Sequence, residues 1–181
     1  MTDFRDRSRG RVIPERGRVI PEHCATRTVQ RVCVAETDMM GVVHHANYVA
    51  YFEKGRLEYM RRRGLPYKAV IERGYHMPVV ELNIRYRKPA HFDDLLSVET
   101  RLGALTRVTV RFNYTVRRPK LDSREPSELL LEGHILLACI DEKNRPRPLP
   151  EDIVRTLFLP EISQTDDLVI PGSRADRAGS A

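Results

Sequence analysis

An α+β fold, an antiparallel sheet wrapped around one long central helix, is what the pattern of this chain predicts. Two observations carry that reading. Tyr48, Phe52, Gly55 and Tyr59 recur at spacings of four, three and four, which places them on one helix face. Farther on, three segments alternate apolar and polar residues with period two, and a fourth is more uniformly apolar. One helix cannot cover both faces of such a sheet, so the economical solution wraps the sheet around the helix.

The elements follow in order. Residues 1–27 read as a disordered Arg-rich arm, in which RGRVIPE occurs twice, at 9–15 and 16–22. Two seven-residue copies are too few for a solenoid. The folded domain is expected over 28–159, with a first strand at 28–35 built on Val29, Val32, Cys33 and Val34. The helix is expected over 46–63. Its end is well marked by Arg61, Arg62 and Arg63 in the last turn, then by Gly64 and Pro66. Residues 66–74 can add a short turn of helix.

Strands are expected at 79–87, 96–102, 108–117 and 129–141. The inward sets are Val80, Leu82, Ile84 and Tyr86; Leu96, Val98, Thr100 and Leu102; and Val108, Val110, Phe112, Tyr114 and Val116. Gly103-Ala104 reads as the turn between the second and third of these. Gly133 reads as a bulge or a close approach. A short helix is expected at 151–158 and a flexible tail over 160–181.

The composition of this 181-residue chain narrows the function classes. The net charge is +6, but seven Arg against four acids in residues 1–27 supply half of it. The rest is only mildly basic and lacks the basic-plus-aromatic pattern of a nucleic-acid reader. No apolar run approaches the roughly 18 residues needed to span a membrane. Cys24, Cys33 and Cys139 are odd in number and not motif-spaced, so a cytoplasmic setting is expected.

The candidate site is the run Glu36-Thr-Asp-Met-Met-Gly-Val-Val-His-His-Ala-Asn-Tyr48. Asp38 is followed by Gly41, which allows a sharp turn. The helix start brings free backbone N–H groups and the positive dipole end close to that carboxylate. Such a pairing suits a carbonyl oxygen that gains charge while a carboxylate works on the carbon. The competing reading of Asp38 is an Asx-turn residue. His45 acts through its ring or through its backbone, and the sequence leaves both open. Gly41, His44, Asn47 and Tyr48 are candidate substrate-binding residues. The adjacent histidines lack an accompanying ligand cluster, so no metal or cofactor is expected. Arg85, Arg87 and Lys88 are candidates for phosphate contacts, against a solvated strand face as the alternative.

These residues carry a family resemblance. Asp38-Met-Met-Gly-Val-Val-His-His-Ala-Asn-Tyr48, with Phe52-Glu53 behind it, resembles the signature of hotdog-fold thioesterases. It is most similar to the 4-hydroxybenzoyl-CoA thioesterase-like family, in the branch of short-chain acyl-CoA thioesterases associated with the Tol–Pal system. Tyr86-Arg-Lys-Pro-Ala90 and Arg145-Pro-Arg-Pro-Leu-Pro150 resemble later parts of the same family. The resemblance implies an acyl-CoA or acyl-carrier-protein thioester as substrate. It implies Asp38 as the catalytic carboxylate, and His45 as the residue whose N–H meets the thioester carbonyl. It also implies a homodimer with joined sheets, often paired further to a homotetramer. Met39, Met40, His44 and Val34 depart from the usual residues, which bears on acyl preference. The rival readings are an acyl-thioester dehydratase or hydratase sharing a proton between His45 and Asp38, and a non-catalytic acyl-thioester-binding scaffold.

Overall fold

The computed structural model describes residues 20–119 and 127–162. Five strands form one antiparallel sheet in the order β1-β3-β4-β5-β2. They are β1 Ala25–Arg31, β2 Val79–Tyr86, β3 Leu95–Leu105, β4 Thr109–Arg118 and β5 Glu128–Ala138. The long helix α1, Asn47–Arg61, lies on the concave face. Two short helices, α2 Tyr67–Glu72 and α3 Glu151–Leu157, complete the described part.

The period-four-and-three face of α1 is the buried one. Tyr48, Phe52, Gly55 and Tyr59 are all buried, joined by Tyr51 and Met60. Phe52 stacks on Tyr114 of β4 with ring centres 4.1 Å apart, and Tyr59 meets Phe112 edge-on at 5.2 Å. Such aromatic pairs add to the burial energy itself. Between them sits Gly55, where a Cβ would come within 2.3 Å of Thr100 Oγ1 on β3. The helix backbone therefore rests directly on the sheet, which repays the roughly 1 kcal/mol that glycine costs inside a helix.

Arg63, one of the three cations that mark the helix end, has a fully buried side chain. Its guanidinium lies 3.6 Å from the Tyr59 ring centre. It donates to Thr26 Oγ1 and to the carbonyls of His23, Ala25 and Tyr59 at 2.7–3.2 Å. The chain before β1 is thereby tied to the end of α1.

Several expected boundaries move. The folded part begins before residue 28: Cys24 is fully buried, Ile20 packs against the core, and β1 starts at Ala25. Residues 1–19, with the first heptapeptide copy, lie outside the described residues. β1 is shifted because its inward positions are Thr26 and Thr28, whereas Val29 is exposed. Counting apolar residues alone misplaces such a strand. Residues 34–36 form a 3-10 turn, and Cys33 is exposed instead of core.

Gly103-Ala104 is not a turn. It lies inside β3 at a register shift, and the hairpin closes at Thr106, whose hydroxyl accepts the N–H groups of Val108 and Thr109. α1 also stops at Arg61, two residues early, with Gly64 in the left-handed region at φ 78°. Ile162 donates its N–H to the Arg62 carbonyl at 2.7 Å, so the tail is docked at least that far. The remainder, 163–181, lies outside the described residues.

The largest departure is β2. Its expected inward residues Val80, Leu82 and Tyr86 are between 42% and 54% exposed, because β2 is an edge strand with one side of its ladder unpaired.

The seating of α1 is directly testable. Gly55→Ala destabilises the protein by about 1–3 kcal/mol through overpacking, despite the better helix propensity of alanine. Adding Thr100→Ala, which removes the obstructing hydroxyl, recovers most of the loss. Urea unfolding midpoints of the two variants check this.

Candidate active site

The Asp38 run is a tight hairpin laid against the start of α1. Thr37 and Val43 form an antiparallel bridge. The Asp38 N–H donates to the Val42 carbonyl, and the Gly41 N–H to the Asp38 carbonyl, both at 2.9 Å. Gly41 supplies the left-handed residue at φ 73° that lets the chain reverse, and nothing lies within 4 Å of the place a Cβ would take.

Asp38 Oδ1 accepts the Met40 N–H at 2.8 Å, so the Asx-turn reading is realised. That turn uses one carboxylate oxygen. The other makes no hydrogen bond among the described residues. Asp38 is half-buried, and the flanking Met39 and Met40 project into solvent.

Glu36, which the sequence reading passed over, joins the hairpin to the helix. Its carbonyl accepts the His44 N–H at 2.9 Å and Asn47 Nδ2 at 2.7 Å. Its carboxylate accepts the Cys33 N–H at 2.7 Å. The same carboxylate lies beside the buried Tyr51 phenol, which burial first and then Glu36 push far up. The signal was present: Glu36 stands three residues after Cys33, the spacing of a capping box.

The structure separates the roles of the other candidates. His44 is exposed, and its Nδ1 accepts the N–H of Ala46, the residue before α1, at 3.3 Å. Its ring lies 4.2 Å from that of His45. Asn47 Nδ2 is tied to the Glu36 carbonyl at 2.7 Å. Tyr48 is buried, with its ring between Tyr51 and Tyr86, each 5.7 Å away, and burial pushes its phenol up. Tyr86 donates its hydroxyl to the His45 carbonyl at 3.1 Å. The His45 N–H itself meets no acceptor among the described residues. Helix starts with such free donors bind oxygens that carry negative charge.

The segment after β2 buttresses the hairpin. Ala90 accepts the Val43 N–H at 2.8 Å, and His91 bridges Val42. Of the three candidate phosphate-contacting cations, Arg87 is paired with Glu132 at 2.5 Å and Lys88 with Glu128 at 2.6 Å. No group of three or more His, Cys, Asp or Glu residues that could hold a metal occurs among the described residues.

Residues 32–157, a span that begins before the hairpin and ends with α3, match the family model of the thioesterase-like superfamily. The chain belongs to that family. It is 31% identical over 125 residues to the Escherichia coli acyl-CoA thioester hydrolase YbgC, covering 68% of this chain and 89% of that one. A solved Thermus thermophilus protein shares 41% identity at a TM-score of 0.65, covering 72% of this chain and 95% of that one. The 4-hydroxybenzoyl-CoA thioesterase of Pseudomonas sp. strain CBS-3 superimposes with a TM-score of 0.65 at 23% identity, over 73% of this chain and 98% of that one. At that identity the likeness establishes the shared hotdog fold.

The family hairpin depends on its left-handed residue. Gly41→Ala costs about 1 kcal/mol of stability from backbone strain alone, since no atom opposes the new methyl. Gly41→Asn costs less, because asparagine tolerates that region better. Thermal denaturation of both variants distinguishes the conformational cost from a steric one.

Proposed function

We propose that this thioesterase-like protein hydrolyses acyl-CoA to the free acid and CoA at the Asp38 hairpin. Two groups of opposite character support it: a carboxylate oxygen of Asp38 and the N–H of His45, both without partners among the described residues. The His45 N–H donates to the thioester oxygen as that oxygen gains charge, with the α1 dipole behind it. Asp38 either takes a proton from the water that attacks the carbonyl carbon or attacks that carbon itself. In both routes the C–S bond breaks and the CoA thiolate leaves and is protonated; in the second, the acyl–Asp38 anhydride so formed is then cleaved by water, which frees the acid and restores the carboxylate. The exposed rings of His44 and His45 orient the thioester.

The relatives support the enzyme class, a thioester hydrolase, and the CoA thioester as substrate. A carrier-protein thioester is the competing form of the same acyl donor. The assembly proposed is a homodimer joined along β2. The apolar side chains exposed there, Val79, Val80, Leu82 and Tyr86, support it, because an edge strand of that composition invites pairing. Further pairing to a homotetramer and a cytoplasmic location complete the proposal.

Asp38→Asn is the deciding variant. It keeps the hairpin, since an amide oxygen also accepts the Met40 N–H. Its kcat for thiol release falls at least about 100-fold across short, long and aromatic acyl-CoAs, with folding and assembly unchanged. Equal turnover in the two proteins overturns the assignment. Turnover of carrier-protein thioesters alone would replace the substrate, not the site.

A further inference from the structure

The hairpin that carries Asp38 is held from one side by residues 89–94; the far end of that segment is tied to Val32 and Arg31, and its near end and Asp94 carboxylate to Arg118. Arg118, the last residue of β4, spans three pieces of chain. Its Nη2 donates to the Pro89 carbonyl at 2.9 Å and to Asp94 Oδ2 at 2.5 Å. Its Nη1 donates to Glu128 Oε2, at the start of β5, at 2.6 Å. Lys88 closes the set on the other Glu128 oxygen at 2.6 Å. Asp94 Oδ2 also accepts the His91 N–H at 2.7 Å, so the segment is folded around the same carboxylate.

The next residues inward touch the site. Ala90 is fully buried and its carbonyl takes the Val43 N–H; His91 bridges Val42. Val42 in turn accepts the Asp38 N–H. We propose that Arg118 is a positioning residue for the Asp38 hairpin: by clamping Pro89, Asp94 and Glu128 it fixes the Ala90-His91 backbone on which the catalytic turn is laid.

Three features set this cluster apart from an ordinary surface ion pair, which contributes little. Its acceptors come from two stretches of chain, residues 89–94 and the start of β5, which it joins to the end of β4. All three side chains are about three-quarters buried, at 26%, 21% and 24% exposure for Arg118, Asp94 and Glu128. One acceptor is a main-chain carbonyl, which fixes backbone position and not merely charge. Burial pushes the Asp94 carboxyl up, but hydrogen bonds from Arg118 and the His91 N–H outweigh it and hold it below the usual range. Only a planar guanidinium reaches all three acceptors together; a lysine ammonium is a single point donor on a flexible stem.

The inference rests on the proposed role of Asp38, and its test has an arm that does not. In Arg118→Gln, amide hydrogen exchange at Asp38 and Val43 accelerates about tenfold or more, while the paired amides of β3 and β4 keep their protection. In the same variant kcat for acyl-CoA falls roughly 10- to 100-fold with little change in KM, since misplacement of a reacting group acts on the chemical step. Arg118→Lys falls between the two. Placed in the Asp38→Asn background, Arg118→Gln lowers kcat by no more than about twofold, because residues acting as a unit are not additive. Glu128→Gln, a milder change, moves exchange and kcat in the same direction and serves if Arg118→Gln fails to fold. Unchanged exchange at Asp38 and Val43 in a folded Arg118 variant overturns the inference whatever the activity. So does a full kcat loss that persists in the Asp38→Asn background. A wild type that releases no thiol would sink the proposed reaction, yet leave the exchange comparison to decide the clamp.

Discussion

The contact between Gly55 and Thr100 sets the height at which α1 rides on the sheet. Everything at the site is referred to that height. With the helix axis fixed, Phe52 reaches Tyr114 in a parallel stack and Tyr59 reaches Phe112 edge-on. The same seating fixes the first turn of α1, and the hairpin hangs from that turn through the Glu36 carbonyl. A helix raised by one methyl group would carry His45 and Asn47 with it, and the hairpin would follow.

The site itself is built mostly from backbone. The hairpin closes on its own amides, its reversal rests on Gly41, and the carbonyl-binding group assigned to His45 is a main-chain N–H. Side chains act as ties: Asn47 to Glu36, Tyr86 to His45, Arg118 to residues 89–94. The side chains of Met39 and Met40 stand in solvent and carry none of these ties.

Most of the fold was legible because it rests on strong periodicity. The α1 face and the alternation of β3 and β4 are written in large apolar residues that all bury. β1 was misplaced because its inner positions are threonines, which count as polar but pack well against a helix. The β3–β4 turn was misplaced because the chain turns on a threonine hydroxyl and not on its glycine. At the site, Asp38, Gly41 and His45 stood out by type and spacing. Asn47 and His44 make local ties, Glu36 showed only the capping-box spacing after Cys33, and Arg118 showed no signal. Glu36 acts largely through its carbonyl, which has no sequence signature, and Arg118 acts through partners scattered over 40 residues of chain.

The most direct test of the site is a crystal structure with an unreactive acyl-CoA analogue in which a methylene separates the carbonyl from sulfur. The account predicts the analogue's carbonyl oxygen about 3 Å from the His45 nitrogen, with the Asp38 carboxylate facing the carbonyl carbon. A carbonyl seated elsewhere, for instance in the groove between β1 and α1 lined by Arg27, Lys54 and Arg61, would contradict it.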